Sequence, residues 1–353
     1  MLEHEEYLIE LLTRIGLTKR EAEVYLAILY RGKASAGELL EAVDVHQPQL
    51  YNILSSLSRK GFIQVVSGRP KMYIANNPLS VIECLQIELN NVKKTINVFL
   101  NKVKKGEEIP SVTITRNTTG LLSNMIDSIK RSKIEVCGEL PIYLFDALKE
   151  HICNVAEKGV NFYLLIFPRI NRELIEYFSS LSQKIFLKVT RRGDFVLLSS
   201  DTAMAVYSRR TFFSKGIPRL YNNEIYGYII KEKDLIWRLL DIYGKSWKGA
   251  NTVLRWEISS NSYPRTFLNF LLAFMEIEEI LKKGFKPKVT VEGKFVESGD
   301  PVVIKGVANR TRISERTSTI IVVTDEGTYT IGGFDAEEED IEAQKIVIEE
   351  IIR

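Results

Sequence analysis

The sequence predicts a multidomain α+β protein, and three observations carry that prediction. Two helix-start signals, a glycine stop and a basic turn occupy the first 76 residues. A heptad pattern of apolar residues follows them. Beyond Pro110, strands alternate with helices and give way to short β-rich segments near the C-terminus. A chain of 353 residues is long enough for several domains, at roughly 100 to 200 residues for each.

Two capping boxes mark the starts of two N-terminal helices. Thr18 is followed three positions later by Glu21, and Ser35 is followed at the same spacing by Glu38. In each pair the hydroxyl and the carboxylate satisfy backbone N–H groups that the first helical turn leaves without partners. Apolar residues at helical spacing follow both boxes, which predicts two capped helices.

A third helix is predicted from the region of Pro48 to a stop at Gly61, because proline is favoured in a first turn and glycine after a last one. Leu50, Leu54 and Leu57 define its apolar face. The opposite face carries amide and hydroxyl groups, which suit hydrogen bonds to base edges. The candidate base-reading residues are Gln47, Gln49, Asn52, Ser55 and Ser56.

Two short strands follow the third helix, from Phe62 to Val66 and from Met72 to Ala75, and a basic turn joins them. Three helices and a hairpin in this order indicate a winged helix-turn-helix domain, which we predict over residues 1–79. The candidate phosphate-binding residues are Arg59, Lys60, Arg69 and Lys71.

Charge placement favours DNA as the partner of this domain. The whole chain carries a net charge of only +3, but residues 46–76 contain no Asp or Glu. Acidic side chains are thus missing from the one segment that would meet phosphates. The alternative is a winged helix that contacts only proteins.

A dimerising coiled coil is predicted over residues 80–106. Apolar residues recur there at alternating spacings of four and three, which is the pattern of a coiled-coil seam. A two-fold dimer would bind a roughly palindromic promoter site. The alternative is a helix packed on its own domain, and a break near Pro110 would end either form. The seam residues are Leu85, Leu89, Val92, Ile96, Phe99 and Val103.

The remaining residues are divided into an α/β domain over residues 110–250 and a small β-rich domain over residues 251–353. The first contains alternating strands and helices, and a helix from Pro264 to Lys283 is predicted at the start of the second. Four short strands and a C-terminal run of Ile and Val follow that helix. The order of elements between Cys137 and Phe167 is similar to the phospholipase D fold.

No catalytic or metal-binding motif is present. The three histidines, His4, His46 and His151, lie outside any nucleophile or metal motif, and the His-x-Lys motif of phospholipase D enzymes is missing. The three cysteines lack Cys-x-x-Cys spacing, which favours reduced thiols and no metal or other cofactor. We therefore predict no enzyme activity. A hydrolase or nuclease with an attached DNA-binding domain is the competing interpretation.

The chain resembles the TrmB-type sugar-responsive transcriptional regulators of archaea over nearly its whole length. The resemblance rests on Ile15 to Tyr25, on Gly68 to Tyr73 in the wing, and on Gly332 and Gly333 followed by Glu339 and Asp340. It implies a winged helix, a dimerising helix, a phospholipase D-like domain without catalysis and a C-terminal sugar-binding domain. The expected effector is a maltose- or glucose-like sugar that changes operator affinity, in a homodimer or higher oligomer.

The resemblance also implies sugar-binding positions near the C-terminus. Gly333 and Glu339 match two family contacts with the sugar, whereas Ser318 stands where the family has asparagine. A glycine allows close backbone approach, and a carboxylate accepts two sugar hydroxyl hydrogens. Phe334 is expected to stack on an apolar sugar face. The alternative is a β-turn followed by a solvated acidic run, residues 337–340.

Two further expectations complete the sequence-based interpretation. Trp237, Trp247 and Trp256 are assigned to core packing rather than to sugar stacking, because the first two lie on a helical apolar pattern. The chain has neither a membrane-spanning apolar run nor a basic signal-peptide start, so we expect a cytoplasmic protein. The combined hypothesis is a transcriptional regulator of sugar transport or metabolism, with an effector-free DNA-coating protein as a further alternative.

Overall fold

The computed structural model describes residues 2–100, 110–181, 183–213, 226–314 and 317–353. The chain divides into two compact units, residues 1–107 and 108–353. The first unit has one hydrophobic core. The second contains two buried apolar clusters.

The described residues of the first unit form five helices and a small antiparallel sheet whose strand order is β1-β3-β2. Its helices are α1 (Leu2–Arg14), α2 (Lys19–Arg31), α3 (Ala36–Ala42), α4 (Gln47–Arg59) and α5 (Pro78–Leu100), and its strands are β1 (Lys33–Ser35), β2 (Ile63–Val66) and β3 (Met72–Ala75).

The structure confirms both predicted capping boxes. The Thr18 hydroxyl accepts the N–H of Glu21, whose carboxylate accepts the N–H of Thr18 at 2.6 Å. Ser35 and Glu38 form the same reciprocal pair at the start of α3. Gly61 follows α4 with a φ of 78°, a left-handed conformation that glycine adopts without strain.

Glu21 joins the start of α2 to the end of α4. Its Oε2 accepts a hydrogen bond from Nζ of Lys60 at 2.7 Å, and its side chain is 6% exposed. Burial alone would raise the pKa of Glu21, but hydrogen bonds from Lys60, Ser56 and Thr18 outweigh burial and lower that pKa from 4.5 to about 2. The carboxylate is therefore part of the architecture of this unit.

Helix α5 leaves most of the predicted seam exposed. Leu85 packs partly against the core. Further along the helix, Leu89 is 67% exposed, Val92 53%, Ile96 50% and Phe99 67%. Val103 and the predicted helix end lie outside the described residues. The coiled-coil dimer stays a prediction.

The second unit begins with an eight-stranded mixed sheet, whose order is β11-β7-β6-β5-β8-β9-β10-β4. The central neighbours β5, β6 and β7 are parallel, and all other pairs are antiparallel. The elements are β4 (Val112–Thr115), α6 (Thr118–Arg131), β5 (Glu135–Pro141), α7 (Ile142–Ala156), β6 (Asn161–Phe167), α8 (Arg172–Ser179), β7 (Ile185–Val189), β8 (Val196–Ser200), β9 (Met204–Ser208), β10 (Gly227–Ile230), α9 (Lys233–Gly249) and β11 (Asn251–Leu254).

The two faces of this sheet belong to different apolar clusters. Along β5 and β6, Val136, Phe162 and Leu164 pack with helices α6, α7 and α8. The alternate residues Cys137 and Tyr163 point the other way, because successive side chains of a strand face opposite sides of a sheet. That second face packs on α9 and on the C-terminal part of the chain.

The C-terminal part forms a six-stranded sheet in the order β12-β17-β13-β14-β15-β16, with one helix packed on it. An additional parallel pairing of β16 with β17 closes strands β13 to β17 into a ring. The elements are β12 (Arg265–Phe267), α10 (Phe270–Lys282), β13 (Lys286–Phe295), β14 (Pro301–Ile313), β15 (Ser318–Val323), β16 (Thr328–Gly332) and β17 (Ile341–Ile352).

Two sequence predictions fail in this unit. The boundary after residue 250 is too early, because β11 pairs with β7 and extends the eight-stranded sheet to Leu254. The predicted helix from Pro264 to Lys283 is wrong in its first part. Arg265–Phe267 pairs with β17, and α10 starts only after Asn269, whose side chain caps it.

We expect Glu21→Gln to destabilise the first unit and to flatten its acid response. A pKa lowered to about 2 contributes about 3 kcal/mol of stability at neutral pH, and that stability is lost as the pH falls from 4.5 towards 2. Amide hydrogen exchange of α2 and α4 at several pH values measures the loss. Glu23→Gln, which removes a surface pair with Arg20, is the matched control and should change stability by less than about 0.5 kcal/mol. Equal effects of the two variants would contradict the role of Glu21.

Candidate functional site

The polar face of α4 presents four of its five predicted base-reading residues to solvent. Gln47, Gln49, Asn52 and Ser55 are exposed. Leu50, Leu54 and Leu57 on the opposite face are buried. The helix thus offers amide and hydroxyl groups outward from a rigid support.

Two of the predicted DNA contacts, Ser56 and Lys60, already have protein partners in the structure. Ser56 is half-buried, and its hydroxyl forms a hydrogen bond with the Glu21 carboxylate. Lys60 donates from Nζ to Glu21 Oε2 and to the carbonyl of Gly16, both at 2.7 Å. Both side chains bond to a buried acid of α2, so each already has a protein partner, although Lys60 remains exposed.

The other three predicted phosphate contacts remain accessible. Arg59 lies at the end of α4, whereas Arg69 and Lys71 lie at the tip of the β2–β3 hairpin. All three side chains are exposed. Across the described residues, none of the three forms an ion pair or a side-chain hydrogen bond. Their charges are therefore available for an anionic partner.

A second site is a cavity of about 640 Å³ in the unit of residues 108–353. Its volume lies in the range of small-molecule sites. All four residues predicted to bind sugar line it. They are joined by residues from α9, from the first turns of α10 and from the ends of the β14–β15 turn. The lining includes Trp237, Arg238, Asp241, Lys245, Lys248, Asn269, Phe270, Phe274, Ser314, Ser318, Gly333, Phe334, Asp335, Glu337, Glu338 and Glu339.

Glu339 lies deep in the wall of the cavity and is 7% exposed. Its Oε1 accepts a hydrogen bond from Thr319 Oγ1 at 2.7 Å, which fixes the carboxylate. A Cβ at Gly332 would lie 2.8 Å from Glu339 Oε2, and one at Gly333 would lie 2.8 Å from Cδ1 of Phe270. The two glycines therefore allow close packing that any side chain would displace.

Phe334 and Trp237 form a parallel aromatic pair beside Glu339. Their ring centroids are 5.6 Å apart and their planes differ by 1°. The Arg238 guanidinium lies 5.9 Å from the Phe334 centroid and forms an ion pair with Asp335. The assignment of Trp237 to the core is therefore wrong. The residue is half-buried because it lies about 100° around α9 from the buried Ile236.

The core assignment is confirmed for the other two tryptophans, since Trp247 is 2% exposed and Trp256 1%.

Asn269 is a cavity residue that sequence reasoning missed. Its Oδ1 accepts the N–H of Leu272 at 3.2 Å and so caps α10, which a helix N-cap rule would have found. Within the described chain its Nδ2 has no hydrogen-bond partner. Its backbone N–H donates to Oε1 of Glu135 on β5 at 2.8 Å. Burial raises the pKa of Glu135 to about 8, against the backbone N–H groups that favour the charged form.

The described residues contain neither a disulfide nor a group of side chains placed to bind a metal ion. None of the three cysteines forms a disulfide, and Cys137 is buried. No group of three or more His, Cys, Asp or Glu side chains among the described residues is placed to hold a metal ion. Similarly, no described helix combines the length and apolar character that crossing a membrane requires.

Three family models match successive parts of the chain. The sugar-specific transcriptional regulator TrmB matches residues 11–78. The EBD N-terminal subdomain of the transcriptional regulator TrmB matches residues 111–254. The EBD C-terminal subdomain of TrmB and TrmBL1 matches residues 262–351. The second match ends at residue 254, which is also the last residue of β11 and so the end of the eight-stranded sheet.

The chain is 23% identical over 350 residues to the HTH-type sugar sensing transcriptional regulator TrmBL1 of Pyrococcus furiosus, covering 98% of this chain and 99% of that one. It is 35% identical over 78 residues to the uncharacterized protein MJ1623 of Methanocaldococcus jannaschii, and the match covers 22% of this chain and 15% of that protein. Among solved structures, the archaeal chromatin protein TrmBL2 gives a TM-score of 0.34 at 19% identity, covering 70% of this chain and 99% of that one. The phospholipase D family member Nuc from Salmonella typhimurium gives a TM-score of 0.34 at 14% identity, and the match covers 41% of this chain and 99% of that one.

Proposed function

Because the chain belongs to the TrmB family of sugar-specific transcriptional regulators, we propose that it is a DNA-binding regulator whose operator affinity changes when a sugar occupies the cavity. One observation carries the sugar part of this proposal. The cavity brings Ser318, Gly333, Phe334 and Glu339 together with residues of α9 and α10, which lie far from them in the sequence.

The cavity walls offer the groups that a mono- or oligosaccharide requires. The Glu339 carboxylate has one oxygen held by Thr319, so its other oxygen accepts sugar hydroxyl hydrogens from a fixed position. The Phe334 ring and the Trp237 ring supply an apolar wall for the C–H face of a sugar ring. Charged groups of both signs around them provide further hydrogen-bond donors and acceptors.

The N-terminal unit supplies the DNA-binding part of the proposal. Helix α4 acts as the recognition helix and the β2–β3 hairpin acts as the wing of a winged helix-turn-helix. The exposed amides of α4 read bases, and Arg59, Arg69 and Lys71 bind phosphates. This division supports sequence-specific binding, because base contacts specify and phosphate contacts position.

Helix α5 supplies the dimer contact. Its exposed seam residues are spaced as in a coiled coil, and a second copy of the helix would cover them. Two recognition helices related by a two-fold axis match a roughly palindromic operator. We assign no catalytic role to the eight-stranded sheet, since the family consists of transcriptional regulators.

The sugar-dependent function can be tested with a panel of mono- and disaccharides. The melting temperature of the protein is measured with each sugar, in the presence and absence of promoter DNA. A sugar whose free concentration is 100 times its dissociation constant should stabilise the protein by about 2.7 kcal/mol. The same sugar should shift DNA affinity in one direction. A melt that no sugar changes would contradict the effector role.

We expect Glu339→Gln to abolish most of the sugar-induced melting shift, because the amide loses the charge that strengthens bonds to sugar hydroxyls. DNA binding without sugar should be unchanged. Glu326→Gln, in the exposed β15–β16 turn, is the matched control and should keep the full shift. A full shift in Glu339→Gln would place the sugar elsewhere.

We expect Arg69→Ala to weaken binding to all duplex sequences alike. The slope of log K against log salt should fall by about 0.9, the contribution of one neutralised phosphate. Titration of duplex DNA at several salt concentrations measures the slope. Lys19→Ala, an exposed cation on α2, serves as the control. An unchanged slope for Arg69→Ala would contradict the wing assignment.

We expect Asn52→Ala to relax base preference at one position of each half-site, at a cost of about 1 to 3 kcal/mol against the preferred base. Operator selection from a random library, compared between this variant and the unsubstituted chain, measures the preference. Recovery of the same operator by both proteins would exclude Asn52 as a base-reading residue.

A further inference from the structure

One edge of the eight-stranded sheet holds the carboxyl ends of its three parallel strands. The parallel strands β5, β6 and β7 end there, since Pro141 is in register with Phe167, and Ile166 with Val189. The antiparallel strands β8, β9, β10 and β4 place one terminus each at the same edge. In α/β sheets, ligands bind outside the carboxyl ends of the parallel strands.

The segments that leave this edge are rich in arginine. Residues 116–117, 168–171, 190–195 and 209–210 contain six arginines and one acid, Asp194. The carboxylate of Asp194 accepts a hydrogen bond from Ser246 Oγ at 2.6 Å. Five of the six arginines are exposed and Arg210 is half-buried. We name these six residues the arginine edge: Arg116, Arg169, Arg191, Arg192, Arg209 and Arg210.

The loop that carries Arg191 and Arg192 is anchored to the sheet. Gly193 packs so closely on the Phe167 ring that a Cβ has no room. The N–H of Asp194 donates to the carboxyl of Glu139 on β5, which is fully buried. Glu139 therefore adds no acidic group to the surface, and the two arginines next to the anchor are held at the edge.

The helix that starts at the same edge adds to its positive potential. Helix α7 follows β5 directly and has no side-chain cap at its N-terminus. Uncapped N–H groups and the helix dipole favour anions at such a position. This contribution has the same sign as the arginines and depends on none of them.

The length of the arginine edge indicates the kind of partner. Its members extend from β7 to β4, which are six strand positions apart, or about 28 Å at roughly 4.7 Å for each. A single phosphate would contact only part of this row. Duplex DNA carries one negative charge for about every 1.7 Å of its axis and would contact the whole row.

We propose that the arginine edge binds the phosphate backbone of duplex DNA, as a sequence-independent contact separate from α4 and the hairpin. The inference rests on the proposed DNA-binding function and extends it to the second unit. The edge contributes affinity and salt dependence but no base preference.

The test is a salt titration of the full chain with duplex DNA that lacks an operator. The triple variant Arg191→Ala, Arg192→Ala, Arg209→Ala should lower the slope of log K against log salt by about 2 to 3, because it removes three phosphate contacts. The charge-keeping variant with Lys at the same positions should retain most of the slope, which also controls for folding. Arg310→Ala with Arg312→Ala, exposed on β14 away from this edge, is the matched control and should change nothing.

The possible results are separable. If the unsubstituted chain fails to bind DNA at low salt, the proposed DNA-binding function itself is wrong. If it binds and the triple variant keeps the full slope while Arg69→Ala lowers it, only the arginine edge is excluded. A melting shift with pyrophosphate that the triple variant loses, without any change in DNA slope, would assign the edge to a small phosphorylated ligand and overturn the proposal.

Discussion

The apolar cluster shared by the eight-stranded and six-stranded sheets is the constraint on which the second unit depends. Tyr163 on β6, Trp247 on α9 and Phe270 on α10 belong to this one cluster. The cavity lies between α9 and the segment after β16, so its opposite walls are joined behind it by buried side chains. A movement that opened the eight-stranded sheet away from the six-stranded sheet would expose this core. Burial at roughly 25 cal/mol per Å² makes such an opening costly.

Local signals in the sequence predicted the first unit well, because each signal acts within one helical turn. The boxes at Thr18 and Ser35 are complete within four residues, and the structure contains both. Strands that depend on distant partners were missed. Strand β1 has three residues and exists because it pairs with β3, about 40 positions later, and β12 pairs with β17 across about 80. No periodicity within three residues reveals such a ladder.

The site predictions differ for the same reason. Residue type alone could not separate Lys60 from Arg69, because the partner of Lys60 is Glu21, 39 positions earlier. That acid lies outside residues 46–76, so the absence of acidic residues from this segment does not reveal the pair. The four residues that the family resemblance assigns to sugar binding line one cavity. The core prediction failed for Trp237 because an apolar helical pattern identifies the centre of the buried face of a helix. It does not identify the residues at the margin of that face, where Trp237 lies.

The element that responds to a ligand must have two arrangements of similar energy, and the central strands do not. Strand β5 is paired on both sides, and its buried Glu135 fixes the start of α10. The segment from Phe334 to Glu338 is different. It is held to α9 by the Trp237 stack and the exposed ion pair of Arg238 with Asp335, contacts worth roughly 1 kcal/mol each or less. Asp335 also has a φ of 65°, a left-handed conformation that costs a non-glycine residue free energy. Under the proposed function, a sugar bound between Glu339 and Phe334 would act on this weakly held segment, and α9 is the helix that the segment contacts.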